Sequence, residues 1–173
     1  RLTDTSSVDA GVGINRLFFG SDARVTLVRV ATLVVTAVVV FGYVLLPVRL
    51  RGISMLPTYN DGALNFANRA AFWVREPARG DVVAIRMAGP RVLYVKRIVG
   101  LPRERIEIAM GVVIVDGVPL VEPTVAYKAP WNLPAFTLGD DEYLAIGDNR
   151  AMAMENHDFG RATRERIVGK ILF

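Results

Sequence analysis

Seventeen consecutive uncharged residues, 30–46 (VATLVVTAVVVFGYVLL), constrain this chain more than any other feature. A helix rises about 1.5 Å per residue, so roughly 20 apolar residues cross the hydrocarbon of a bilayer. Val25 to Val28 extend the run to that length if Arg29 snorkels its charged head to the interface. A cleavable signal peptide would be shorter and end on small residues, and Leu45-Leu46-Pro47-Val48 offers none. A buried core helix is rarely apolar all round. The segment 25–47 therefore reads as a single transmembrane anchor closed by Pro47. Its orientation is not decided by charge, because Arg16, Arg24 and Arg29 on one side barely outnumber Arg49 and Arg51 on the other.

The remainder of the 173 residues allows one ordinary domain. Residues 1–24 read as a polar tail with one short apolar patch, Leu17-Phe18-Phe19. Residues 48–173 have β texture, with strands expected at 81–87, 91–99, 105–108, 112–115, 142–146 and 167–173. Asp116-Gly117 between VVIV and VPLV predicts a type I′ hairpin, since both central positions need positive φ. Three prolines in 122–141 mark a loop. The fold class is thus mainly β: one N-terminal transmembrane helix feeding a compact, mostly antiparallel sheet domain. The net charge of +4 is spread through the strands and not gathered in a run. That argues against nucleic-acid binding and for a mildly basic surface, compatible with anionic lipid headgroups. There is no cysteine and one histidine, His157, so a thiolate or catalytic zinc site is not expected.

The inventory of reactive side chains is short. Ser54 is the only serine after the apolar segment, and Lys96, Lys128 and Lys170 are the only lysines. Ser54 lies in Gly52-Ile53-Ser54-Met55-Leu56-Pro57-Thr58, where Gly52 permits close backbone approach and Pro57 stiffens the turn. A rigid loop presenting a hydroxyl beside a membrane span suits attack on a chain emerging from the bilayer; the plain alternative is a polar loop serine. In a strand, Lys96 shares a face with Val92, Tyr94 and Ile98. An ammonium among such neighbours is poorly solvated, which favours the neutral amine and lets it accept a serine proton. The alternative is an edge-strand lysine whose head reaches water. Arg97 points to the opposite face and stays charged, so it cannot be the base. Gly147-Asp148-Asn149-Arg150 is by default a turn, and spacing alone does not show whether Asp148 pairs with Arg150 to brace a site.

The order GISMLPT (52–58), RGDVVAI (79–85), YVKRIVGLP (94–102) and GDNR (147–150) resembles the boxes of bacterial type I signal peptidases. The resemblance covers roughly residues 25–173, anchor included. It implies Ser54 as nucleophile, Lys96 as general base, and the Ser54 N–H as a backbone donor to the oxyanion. It also implies that Met55 packs near the site, that Gly147 keeps space around the lysine, and that Gly52 contributes no side-chain donor. Asp148 and Arg150 become site support. The family usually continues with Ser, Asp and Arg at alternate positions; here these are Ala153, Glu155 and His157. The serine would orient the lysine, which Ala153 cannot do, and a Glu155–His157 pair is the expected substitute for the Asp–Arg brace. A Ser-His-Asp triad through His157 is disfavoured, because an adjacent aspartate on one strand faces the other way.

The implied activity is a membrane-bound serine endopeptidase removing signal peptides from preproteins, with no cofactor and no metal. Its partners would be preprotein signal peptides and the lipid bilayer. Its place would be the bacterial cytoplasmic membrane, with the catalytic domain on the extracytoplasmic face. Oligomeric state is not legible. Two rival readings are a peptidase dedicated to one pilus or conjugation subunit, motivated by the altered 151–157 stretch, and a catalytically silent tethered β domain that binds partners.

Overall fold

The structure, a computed structural model, describes residues 23–88, 92–156 and 160–172. Of the polar tail expected over 1–24, residues 1–22 fall outside them, as does His157, while Ala23 and Arg24 begin the first helix. The described chain divides into two compact units, one ending at Gly42 and one running from Tyr43 onward.

In the first unit, helix α1 (Ala23–Val39) runs on into a π-helical turn, Val40–Val44. Valine and leucine fill every side of it, and none of its side chains is buried. The helical segment Ala23–Val44 is long and apolar enough to cross a membrane. The expectation that Pro47 closes this helix is corrected: the helical turns stop at Val44, and Pro47 sits inside strand β1 (Leu45–Arg49). β1 is an edge strand, where a proline without an N–H forfeits no ladder hydrogen bond.

Ten more strands follow: β2 (Leu64–Asn68), β3 (Val82–Ala88), β4 (Val92–Gly100), β5 (Arg105–Ala109), β6 (Val112–Val115), β7 (Val118–Pro119), β8 (Leu133–Thr137), β9 (Glu142–Ile146), β10 (Gly160–Thr163) and β11 (Ile167–Ile171). They form a seven-stranded sheet in the order β1-β2-β11-β3-β4-β9-β10 and a four-stranded sheet in the order β7-β6-β5-β8. Every pairing between these strands is antiparallel, as expected for the mostly antiparallel sheet domain. The Asp116-Gly117 hairpin has φ of 49° and 83°, the positive values a type I′ turn demands.

Two expectations are revised. The segment 122–141 is not all loop, because Leu133–Thr137 forms β8 on the edge of the smaller sheet, where Pro134 is harmless. β2 and β10 were not expected; they are short, and β2 carries two asparagines, one of them, Asn65, buried.

Alternation along the strands builds the core on both faces of the large sheet. Val82, Ala84 and Val95 pack with Val48 and Met55 on one face, while Val83, Ile85, Ile98 and Ala145 pack with Phe72 on the other. Val99, Leu144 and Ile146 join Ile106, Ile108 and Val113 to hold the two sheets together. Each fully buried isoleucine in this set contributes about 2–3 kcal/mol of apolar burial.

Candidate active site

Ser54 sits in a tight turn between β1 and β2. Gly52 has φ of +94°, and a Cβ there would meet nothing within 4 Å, so glycine is required for backbone conformation and not for space. Its N–H donates to Asp61 Oδ1 at 2.8 Å, tying the start of the loop to its end. The turn closes on itself through Leu56 N–H to Ile53 O (3.1 Å) and Tyr59 N–H to Met55 O (3.0 Å), and the Leu56–Pro57 peptide is cis. Met55 is 3% exposed and plugs the loop onto the core. Among the described residues no backbone carbonyl accepts the Ser54 N–H, which leaves it available as a donor.

Lys96 lies in β4 opposite Val83, and only 3% of it is exposed. β9 pairs with β4 only from Arg97 onward, so the stretch of β4 before Arg97 has no partner strand on that side. The gap opens into a groove of about 980 Å³. Ser54, Lys96, Gly52 and Met55 all line it, together with Arg51, Tyr94 and Met152. The sequence places the serine and the lysine 42 positions apart, and the fold brings both to the same groove.

Behind the groove, the turn after β9 fastens the serine loop to the lysine strand. Asp148, 2% exposed, accepts two hydrogen bonds from Arg97, Nε at 2.8 Å and Nη2 at 2.7 Å. It also accepts one from the Thr58 hydroxyl at 2.5 Å. Asn149 donates its N–H to Ser54 O and its Nδ2 to Ile53 O, both at 3.0 Å. The Asp148 hydrogen bond is the main cause holding the Arg97 guanidinium above its ordinary pKa, against burial. Burial pushes the nearby Tyr59 phenol up, with Arg97 pulling it down and Asp148 adding to the rise.

The suggested Asp148–Arg150 pairing is not what forms. Arg150, 2% exposed, donates Nε to Gly147 O at 2.9 Å and Nη2 to Glu122, and stacks 5.4 Å from the Trp131 ring. Burial lowers its pKa, opposed by Glu122 and then Asp148. Gly147 is itself buried, and neither it, Asp148 nor Arg150 lines the groove. Arg97, Thr58, Asn149 and Glu122 were missed as supports. The signal for Arg97 was present: it faces away from Lys96 on the same strand, where an acidic partner would tie down that strand. Glu122 carried none, since it lies 28 residues from Arg150.

Ala153 and Glu155 are exposed and do not line the groove, whereas Met152 does. The suggested Glu155–His157 brace lies partly outside the described residues.

Residues 23–173 match the family described as signal peptidase, peptidase S26. The chain belongs to that family, whose members are serine peptidases, hydrolases of the peptide bond. A signal peptidase I of Bacillus amyloliquefaciens is 33% identical over 138 residues, covering 73% of this chain and 72% of the relative. A probable signal peptidase I-1 of Synechocystis is 29% identical over 130 residues, covering 69% of this chain and 65% of the relative. Among solved structures, a signal peptidase I of Enterococcus faecalis matches 57% of this chain and 99% of that chain with a TM-score of 0.44 and 22% identity.

Proposed function

We propose that this chain cleaves N-terminal signal peptides from exported preproteins, with Ser54 as nucleophile and Lys96 as general base. The observation that carries the reading is that the only serine of the second unit and a nearly fully buried lysine line the same groove. Burial disfavours the ammonium form, and a neutral amine can take the proton of the serine hydroxyl. Ser54 Oγ then attacks the carbonyl carbon of the small residue that ends the signal peptide, and the Ser54 N–H donates to the oxyanion. Collapse expels the new N-terminus with a proton from Lys96 and leaves an acyl-enzyme. The same amine activates the water that hydrolyses it. With glycine at 52, oxyanion stabilisation rests on backbone donors, and one such donor is worth about 3 kcal/mol.

The apolar helix supports a single-pass anchor in the bacterial cytoplasmic membrane, with the β unit on the extracytoplasmic face. The membrane would present a substrate whose own apolar segment ends close to the scissile bond. The Asp148 and Asn149 bonds support a rigid relation between the Ser54 loop and β4. The narrower reading of one dedicated substrate drew on the altered 151–157 stretch, but Ala153 and Glu155 are exposed and off the groove, so general processing is preferred.

The test is to incubate the purified full-length chain in detergent with a preprotein carrying an A-x-A-like site and to sequence the new N-terminus. One cut directly after that site is expected, together with covalent labelling of Ser54 by an acylating inhibitor. An uncut preprotein, or a cut elsewhere, would overturn the reading.

A further inference from the structure

Among the described residues, the groove around Ser54 is charged in one sense only: Arg49, Arg51, Arg69 and Arg86 line it along with Lys96, and no described aspartate or glutamate does. The four arginines are exposed and come from four separate places: the end of β1, the serine loop, the 3₁₀ turn Arg69–Phe72, and β3. Elsewhere in this unit arginines are usually spoken for, as in the Arg75–Asp81, Arg97–Asp148 and Arg164–Glu76 pairs. Arg49, Arg51 and Arg86 have no ion-pair partner among the described residues. The nearby carboxylate, Asp61, accepts the Gly52 N–H and does not line the groove.

We infer that Arg49, Arg51 and Arg86 are specificity-determining residues that favour preproteins with carboxylates flanking the scissile bond. The inference rests on the proposed peptidase reading and adds a substrate class to it. Register supports the distances. Arg86 pairs with Leu93, three residues along β4 from Lys96. At about 3.3 Å per strand residue that is roughly 10 Å, too far to touch the reacting carbonyl. It suits a substrate side chain about three residues away in an extended segment. Arg51 precedes Ser54 by three residues, so it stands on the serine wall of the same groove. Guanidiniums without ion-pair partners around a concave groove raise a positive potential that attracts a carboxylate. An anionic membrane surface is the competing occupant. The substrate is preferred because Arg49, Arg51 and Arg86 all line the same groove as Ser54 and Lys96, and Arg51 belongs to the serine loop itself.

The experiment uses the full-length chain in zwitterionic detergent with matched preprotein peptides. A pair of Asp or Asn residues is walked through the positions flanking an A-x-A-like site. At low salt the Asp form should have kcat/KM about five- to ten-fold above the Asn form at its best position. That ratio should fall toward two as added salt shortens the screening length to a few Å. In the Arg49→Gln/Arg51→Gln/Arg86→Gln variant the ratio should collapse toward one, in Arg86→Glu it should drop below the parent ratio, and the triple lysine variant should keep it. Reading a ratio within each variant cancels any general loss of folded enzyme. Equal cleavage of Asp and Asn peptides by the parent chain overturns the inference. So does a ratio unchanged in the triple glutamine variant, or an arginine effect that emerges only with anionic lipid vesicles. Failure to cleave either peptide would instead overturn the peptidase reading itself.

Discussion

Asp148 makes a stronger case than its place in a four-residue turn suggests. Its carboxylate is almost wholly buried and receives Arg97 and Thr58 together. One end of this link follows Lys96 directly, and the other lies four residues beyond Ser54. Removing the charge strands a half-buried guanidinium, which in such pairs destabilises by about 3 kcal/mol. Asp148→Asn should therefore lower the unfolding midpoint in urea. It should also reduce kcat at least about ten-fold, with a smaller effect on KM, because misplacing the reacting groups weakens the transition state more than binding. Arg97→Lys should not rescue, since an ammonium cannot reproduce the two-pronged bond. Wild-type kcat in Asp148→Asn would remove the positioning role. At this scale Ser54 and Lys96 were the candidates the sequence offered, through the scarcity of serine and lysine together with the family resemblance. The Arg97–Asp148 link was not legible, because the two residues are 51 positions apart and meet only through the β4–β9 pairing.

Among the strands, the alternating apolar runs of β3, β4, β5, β6 and β9 were readable, and their observed ends fall within one residue of the expected ones. What escaped was set by tertiary pairing. β1 looked like the tail of the apolar helix because its first residues are as hydrophobic as the helix itself. Only the pairing of β1 with β2, from Leu45↔Asn68 to Arg49↔Leu64, separates the two. β8 hid behind Pro134, which is tolerated because the strand is an edge. The strand that secures the large sheet is β11, wedged between β2 and β3. At Gly169 a Cβ would lie 2.7 Å from the backbone O of Asn68. Backbone cannot yield as a side-chain tip can, so Gly169→Ala should destabilise by about 2 kcal/mol. Chemical denaturation of parent and variant checks this. An unchanged midpoint would mean that β2 and β11 are less closely packed than described.

Across the whole molecule, acid stability should depend on Asp81, which joins the start of β3 to Lys170 of β11 (2.8 Å) and to Arg75 (2.8 Å). Burial pushes this carboxyl up, but the hydrogen bonds from Arg75, Lys170 and the Ala78 N–H outweigh it and leave its pKa below the ordinary 3.8. A depressed folded pKa means stability that is present above the unfolded value and lost as pH falls through the folded one. The thermal midpoint should therefore fall as pH drops below about 4, and Asp81→Asn should flatten that limb while lowering stability at pH 7. An acid limb identical in parent and variant would contradict this. The broad plan, one apolar helix before a mainly antiparallel β unit, was readable from composition and periodicity. The convergence of Ser54 and Lys96 on one groove was not, since no local pattern reports a meeting of residues on separate strands and loops. That convergence is tested most directly by comparing preprotein cleavage by the full-length parent, Ser54→Ala and Lys96→Ala, with circular dichroism confirming that each is folded. Both variants should be slower by a factor of about 1,000 or more. Parental cleavage rates in either folded variant would contradict the Ser54/Lys96 mechanism.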